Sequence, residues 1–172
     1  KLPLFAALDL GTNSCRMLIA RPRKSDFEVI DAFSKTVYLG KGMDSSGKLS
    51  NSAMKRTISA LHVCQKKLIS NEVKYTRLVA TAACRQALNG REFIKRARKE
   101  SNLKLEIINP SEEARLAVIG SVGHLKPMTE QVLVVDIGGG STELVWLDLT
   151  NVEAKNRKNS IMMMQSNQLR KK

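Results

Sequence analysis

A chain of 172 residues with 29 Lys+Arg against 16 Asp+Glu carries a formal charge of +13. That length fits one domain, or one domain and a piece of a second, and 42% hydrophobic with 26% charged residues excludes a disordered composition. Only 4% of residues are aromatic, which argues against base stacking, so the charge excess points to an anionic partner rather than to a stacking platform.

The charge is unevenly placed. Residues 151–172 carry six Lys/Arg and one Glu, so +5 of the total lies there and +8 over residues 1–150. The three cysteines, Cys15, Cys64 and Cys84, are far apart and make no CxxC, which reads as small buried hydrophobes in a reducing compartment. No signal peptide is visible and no run approaches the ~20 apolar residues of a membrane span, so a cytoplasmic location without membrane contact is expected.

In chain order, Leu4–Leu10 and Cys15–Ala20 are apolar runs separated by Gly11-Thr12-Asn13-Ser14, a strand–turn–strand pattern. Phe27–Leu39 alternates as a third strand, and Gly40, Gly42 and Gly47 mark a loop. Ser50 is a helix N-cap candidate. Met54, Ile58, Leu61, Cys64 and Leu68 then fall on one helical face. Thr76–Ala82 is a strand, Gly90–Ser101 a basic helix on Phe93, Ile94 and Ala97, and Leu103–Ile108 an alternating strand. Asn109-Pro110-Ser111-Glu112 is a helix start with a capping Asn and a first-turn Pro. Gln131–Ile137 and Thr142–Leu149 are two more strands. The order βββαβαβα followed by ββ predicts an α/β fold.

The informative pattern is a repeat. Asp9-Leu10-Gly11-Thr12-Asn13-Ser14 recurs as Asp136-Ile137-Gly138-Gly139-Gly140-Ser141-Thr142, each between apolar strands. A single such turn is usually only a hairpin. Two matched copies point to a shared anion site, with backbone N–H groups and the Thr12, Ser14, Ser141 and Thr142 hydroxyls as donors. Asp9 and Asp136 at the strand ends suit Mg²⁺, which takes carboxylates, water and substrate phosphate. No GxxxxGK[ST] or GxGxxG occurs, so this is neither a Walker loop nor a dinucleotide fingerprint.

Two acids, Glu112 and Glu113, open the helix after Asn109. Both complement the helix dipole; with Glu112 as the capping-box residue, Glu113 is left to serve as a base near phosphate. Arg85 follows the strand–small-residue segment Thr81–Cys84 and suits bidentate phosphate contact, against the plainer reading of a surface arginine. His62 and His124 have no metal-like partners in the sequence. Arg91, Lys95, Arg96, Arg98, Lys99 and Lys104 form a basic run that is either a solvated face or a rim that attracts a polyanion.

The segments ALDLGTNSCRMLIA (7–20), VATAACRQALNG (79–90), IINPSEEARLAVIG (107–120) and VLVVDIGGGSTELVW (132–146) together resemble the exopolyphosphatase / guanosine pentaphosphate phosphohydrolase (Ppx/GppA) family. The resemblance spans about residues 1–150. It implies ribonuclease-H-like domains of the actin-like ATPase superfamily, a mixed sheet flanked by helices. Residues 1–127 would be the first domain, 128–150 the first hairpin of a second, and 151–172 a basic, disordered tail. It further implies Mg²⁺-dependent hydrolysis of the terminal phosphoanhydride of polyphosphate or guanosine pentaphosphate, with Glu113 as the catalytic base. Asp9, Asp136 and Glu143 would serve the metal and water. Gly11, Thr12, Asn13, Ser14, Arg85, Gly138, Gly139, Gly140, Ser141 and Thr142 would bind phosphate.

The resemblance leaves room for a homodimer. Pro110 departs from the family's frequent Gly before the two glutamates, and the family's chains run well past this length. The competing expectation is therefore a truncated, inactive remnant that at most binds a polyanion. A nucleic-acid-binding domain is disfavoured by the few aromatics and the lack of a reading-helix motif. A sugar kinase would share the fold but need an adenosine subsite that this stretch lacks.

Overall fold

The computed structural model describes residues 2–24, 26–121 and 129–150. The tail 151–172 and His124 lie outside the described residues. The contacts divide the chain into two compact units, 1–108 and 109–172.

The first unit is built on β1 (Phe5–Leu10), β2 (Ser14–Pro22), β3 (Phe27–Thr36), β4 (Tyr75–Ala80) and β5 (Glu106–Ile107). They form one sheet in the order β3-β2-β1-β4-β5. β1–β2 and β2–β3 pair antiparallel, while β4 joins β1 and β5 joins β4 in parallel. The expected mixed sheet is therefore present.

Strict alternation decides which face is covered. Ala6, Leu8 and Leu10 of β1 and Cys15, Met17 and Ile19 of β2 are buried. The helical layer on that face starts with α1 (Met43–Ser46) and α2 (Asn51–Ser70) and continues through α3 (Ala82–Gln86) and α4 (Gly90–Ser101). The Ser50 hydroxyl accepts from the Ala53 N–H (3.2 Å), so the predicted N-cap of α2 is formed. Met54, Ile58, Leu61, Cys64 and Leu68 are all buried, as their spacing predicts. Phe93 of α4 is 1% exposed and Ala97 fully buried in the same core.

Gly90 is where α4 starts against α3. A Cβ there would stand 1.9 Å from the Cys84 carbonyl oxygen, so only glycine allows this approach. The opposite sheet face is open around the starts of β1 and β4, although Val79 on it is buried. Phe5 stacks on Tyr75 (ring centroids 4.9 Å), and together with Leu18 and Phe27 they line a shallow hollow of about 470 Å³.

Two short helices were not predicted. α1 sits in the glycine loop, opened by Gly42 and closed by Gly47, both with left-handed φ. α3 spans the small residues after β4. Conversely, the strand expected over Leu103–Ile108 reduces to Glu106–Ile107, although Leu103, Leu105 and Ile108 are buried.

The second unit holds α5 (Pro110–Ser121), β6 (Gln131–Ile137) and β7 (Thr142–Asp148). β6 and β7 form an antiparallel hairpin in the predicted positions. Ala114 and Val118 of α5 pack with Val145, Leu147 and Leu149, so α5 groups with this hairpin rather than with the first sheet. The other hairpin face exposes Leu133, Val135, Leu144 and Trp146. No described helix is long and apolar enough to cross a membrane.

Cys15, Cys64 and Cys84 are buried free thiols. A hydrogen bond with the Cys64 thiol, together with burial, pushes the Cys15 thiol up, and burial pushes Cys84 up to about 12. Two outcomes follow. Thiol reagents at neutral pH should label none of the three until denaturant unfolds the chain, because all three are buried and Cys15 and Cys84 also resist ionisation; Cys64, which its hydrogen bond with Cys15 pulls down, should react first once access opens. Gly90→Ala should destabilise the fold by about 1–3 kcal/mol in denaturant titrations, because backbone, not a movable side chain, blocks the methyl.

Candidate functional site

The two repeated turns share one local geometry. In the first unit the Gly11 N–H donates to the Ser14 carbonyl at 2.9 Å; in the second, the Gly138 N–H donates to the Ser141 carbonyl at 2.9 Å. The flanking register matches as well, Leu10 opposite Cys15 and Ile137 opposite Thr142. Each hairpin thus closes with four residues, and the sequence repeat is a structural repeat.

Gly11 is not required by backbone sterics. Its φ is not left-handed, and a Cβ there would meet only the Ser14 oxygen at an ordinary 3.6 Å. At Gly138 the same Cβ would be tighter, 3.2 Å from the Ser141 oxygen.

What shapes the first turn is a segment that the sequence pattern did not single out. The Val37 and Tyr38 N–H groups both donate to the Asn13 carbonyl (2.8 and 3.0 Å), and the Gly40 N–H donates to the Thr12 carbonyl (3.0 Å). These bonds hold the peptide carbonyls of Thr12 and Asn13 inward. The N–H groups of Thr12 and Asn13 take no acceptor among the described residues. Tyr38 adopts φ +46° to make this contact, and a Cβ on Gly40 would press to within 2.4 Å of the Thr12 methyl. The sequence marks Gly40 and Gly42 only as a loop, with no local sign of the distant partners.

Arg85 lies on α3, in the same unit as this turn. The Thr81 N–H donates to the Leu10 carbonyl (3.1 Å) and the Ile108 N–H to the Ala80 carbonyl (3.1 Å). The carboxyl ends of the parallel strands β1, β4 and β5 are therefore joined at this edge, the place where α/β sheets bind ligands. Arg85 Nη1 donates to the Ile108 carbonyl (2.8 Å), which makes the guanidinium a brace across that edge.

In the second unit, Asn109 caps α5 by accepting from the Glu112 N–H (2.8 Å), as its position predicts. The Glu112 carboxylate is clasped by Arg115 with two bonds of 2.7 and 2.9 Å. Glu113 stands beside it, half-buried.

The two Asp positions differ. Asp9 faces Arg16 across β1–β2, whereas Asp136 faces Glu143 across β6–β7. Glu143 is buried, on the hairpin face that holds Val145 and Leu147. Two carboxylates directly opposite repel when both are ionised, unless a cation lies between them. Their oxygens suit Mg²⁺, and the pair fits a site completed by water and substrate phosphate. Among the described residues no three His, Cys, Asp or Glu side chains gather closely enough to hold a metal. Asp9, with a cation opposite, is the poorer donor by this test.

The model of the Ppx/GppA phosphatase family matches residues 18–158. The chain belongs to the Ppx/GppA phosphatase family. The crystal structure of the Aquifex aeolicus member of that family is 32% identical, with a TM-score of 0.76 over 88% of this chain and 49% of that one. An exopolyphosphatase from Cytophaga hutchinsonii is 30% identical, with a TM-score of 0.78 over 86% of this chain and 47% of that one. The ethanolamine utilization protein EutJ from Carboxydothermus hydrogenoformans shares the fold at 16% identity and a TM-score of 0.52, over 87% of this chain and 49% of that one. The fold of this Ppx/GppA chain is the ribonuclease-H-like, actin-like one. The chain spans about half the length of these structures.

The turn geometry predicts unequal responses to one methyl. Gly11→Ala should leave stability unchanged or raised by up to about 1 kcal/mol, by restricting the unfolded chain. Gly138→Ala should be the more destabilising of the two, because the oxygen it crowds is the one that closes the turn. Denaturant melts of both variants check this.

Proposed function

We propose that this chain belongs to a phosphohydrolase that removes the terminal phosphate of inorganic polyphosphate or guanosine pentaphosphate by attack of water. The observation that carries the reading is the pair of matched hairpin turns, each closed by a Gly N–H to Ser carbonyl bond of 2.9 Å, in a chain of the Ppx/GppA family. The proposed organisation is one ribonuclease-H-like domain with the first hairpin of a second.

Phosphoryl transfer needs little covalent help from a protein; it needs positioning, charge neutralisation and an oriented nucleophile. The turns Gly11–Ser14 and Gly138–Thr142 supply backbone N–H and hydroxyl donors to phosphate oxygens. Arg85 is proposed to add its guanidinium to the phosphate chain while bracing the strand edge through Ile108. Water oxygen bonds to the terminal phosphorus, the bridging P–O bond breaks, and the water proton passes to Glu113. The choice of Glu113 as the base rests on the family resemblance of the segment 107–120; Glu112 beside it is clasped by Arg115 with two bonds. Mg²⁺, held by Asp136 and Glu143 with Asp9 as a further candidate, would neutralise phosphoryl oxygens. A cytoplasmic location and a homodimer remain part of this reading.

Release of inorganic phosphate from polyphosphate with Mg²⁺ tests it. Glu113→Gln should lower the rate by about 10²–10⁴, the usual worth of a general base, and leave the melting midpoint close to that of the parent. Chelating the divalent cation should abolish release. Equal rates for parent and Glu113→Gln, or no release by the parent, overturn the reading.

A further inference from the structure

The strongest unexplained feature of the first unit is the outer face of α4. Arg91, Lys95 and Lys99 recur every four residues, and Arg98 lies beside them; all four are exposed. Residues four apart stack on one helical face, so three cations form a row with a step of about 6 Å, and the row is about 12 Å long.

Folding does not account for this row. Like charges at that spacing destabilise a helix. None of the four cations has an ion pair or side-chain hydrogen bond among the described residues. The acid Glu100 is taken by Arg96 on the flank, at 2.6 Å. Arg98 and Lys99 are in the last turn, where the helix dipole welcomes cations, but Arg91 is in the first turn, where it opposes them.

The row also has a place. α4 begins at Gly90, hard against Cys84 of α3, and α3 follows directly from the strand edge that carries the Gly11–Ser14 turn and Arg85. The first cation of the row, Arg91, therefore follows Gly90 directly, in the same unit as that edge.

We infer that the ridge Arg91–Lys95–Lys99, flanked by Arg98, is a binding tract for the body of a linear polyanion, separate from the turns that would hold its end. The ligand is a flexible chain of ionised phosphates without bases to stack. The sole aromatic of α4, Phe93, is 1% exposed, so the ridge offers charge and no stacking surface. The choice of polymer rests on the proposed function; the existence of the tract does not.

Long-chain polyphosphate, tripolyphosphate and single-stranded DNA of comparable charge are the probes, titrated into the full chain across a salt series. The test variant is R91Q/K95Q/K99Q; R91K/K95R/K99R keeps the charge. The tail 151–172 is common to all three proteins, so differences report the ridge. The glutamine variant should bind long-chain polyphosphate at least tenfold more weakly. Its slope of log affinity against log salt should be smaller by about 2, on about 0.7 released counterions per single-strand contact. Tripolyphosphate, too short to follow the ridge, should bind both proteins alike, and the charge-keeping variant should bind like the parent. The glutamine variant should melt no lower than the parent, because a repulsive row has been removed.

Unchanged long-chain affinity in the glutamine variant overturns the tract. An equal loss for tripolyphosphate overturns its separation from the end site. DNA bound as tightly, and lost as fully, overturns the assignment to polyphosphate. Intact ridge-dependent binding with no phosphate release would sink the proposed hydrolysis and leave the tract standing.

Discussion

A single backbone hydrogen bond, from a glycine N–H to a serine carbonyl three residues on, sets the character of both hairpins. Closing the turn at 2.9 Å fixes a four-residue connection, and that connection fixes register. Register in turn places Asp9 opposite Arg16 and Asp136 opposite Glu143. A slip of one residue would turn every side chain of the hairpin to the other face. In the first unit the bond is not enough alone. Three N–H groups from the 37–40 segment seize the Thr12 and Asn13 carbonyls, and this holds the intervening N–H donors outward.

The two copies are alike in backbone and unlike in charge. Asp9 stands opposite an arginine in the strand register. A buried glutamate near Asp136 favours a site that waits for an external cation. The proposed anion role is common to both turns, while two facing carboxylates, the donor chemistry of a hard metal ion, occur only in the second. The basic surplus divides similarly. Part of it braces structure, as Arg85 does at Ile108 and Arg115 at Glu112. Part, on the outer face of α4, has no ion-pair partner among the described residues.

Much of this was legible in the sequence. Periodicity located α2 and α4, because one residue in three or four had to be apolar to cover the sheet. Capping chemistry located the start of α2 at Ser50 and of α5 at Asn109. The paired turns were visible because a repeated Asp-aliphatic-Gly between apolar runs has few other meanings. Local pattern failed where distant contacts decide. α1 and α3 are too short to show a period, and β5 keeps only two residues in its ladder although its neighbours are buried. The Tyr38–Gly40 buttress could not be read, since its partners lie some 25 residues away at Thr12 and Asn13 and nothing local requires them. At Gly11 the turn leaves room for a methyl, so the repeated glycine there is not a steric requirement.

Both turns as phosphate cradles is the central claim. Amide chemical shifts, followed by heteronuclear NMR while pyrophosphate is titrated in with Mg²⁺, test it most directly. The account predicts saturable shifts at Thr12, Asn13 and Ser14 and at Gly139, Gly140 and Ser141, the free N–H groups of Thr12 and Asn13 moving most within the first turn. Saturable shifts elsewhere, with both turns silent, would contradict it.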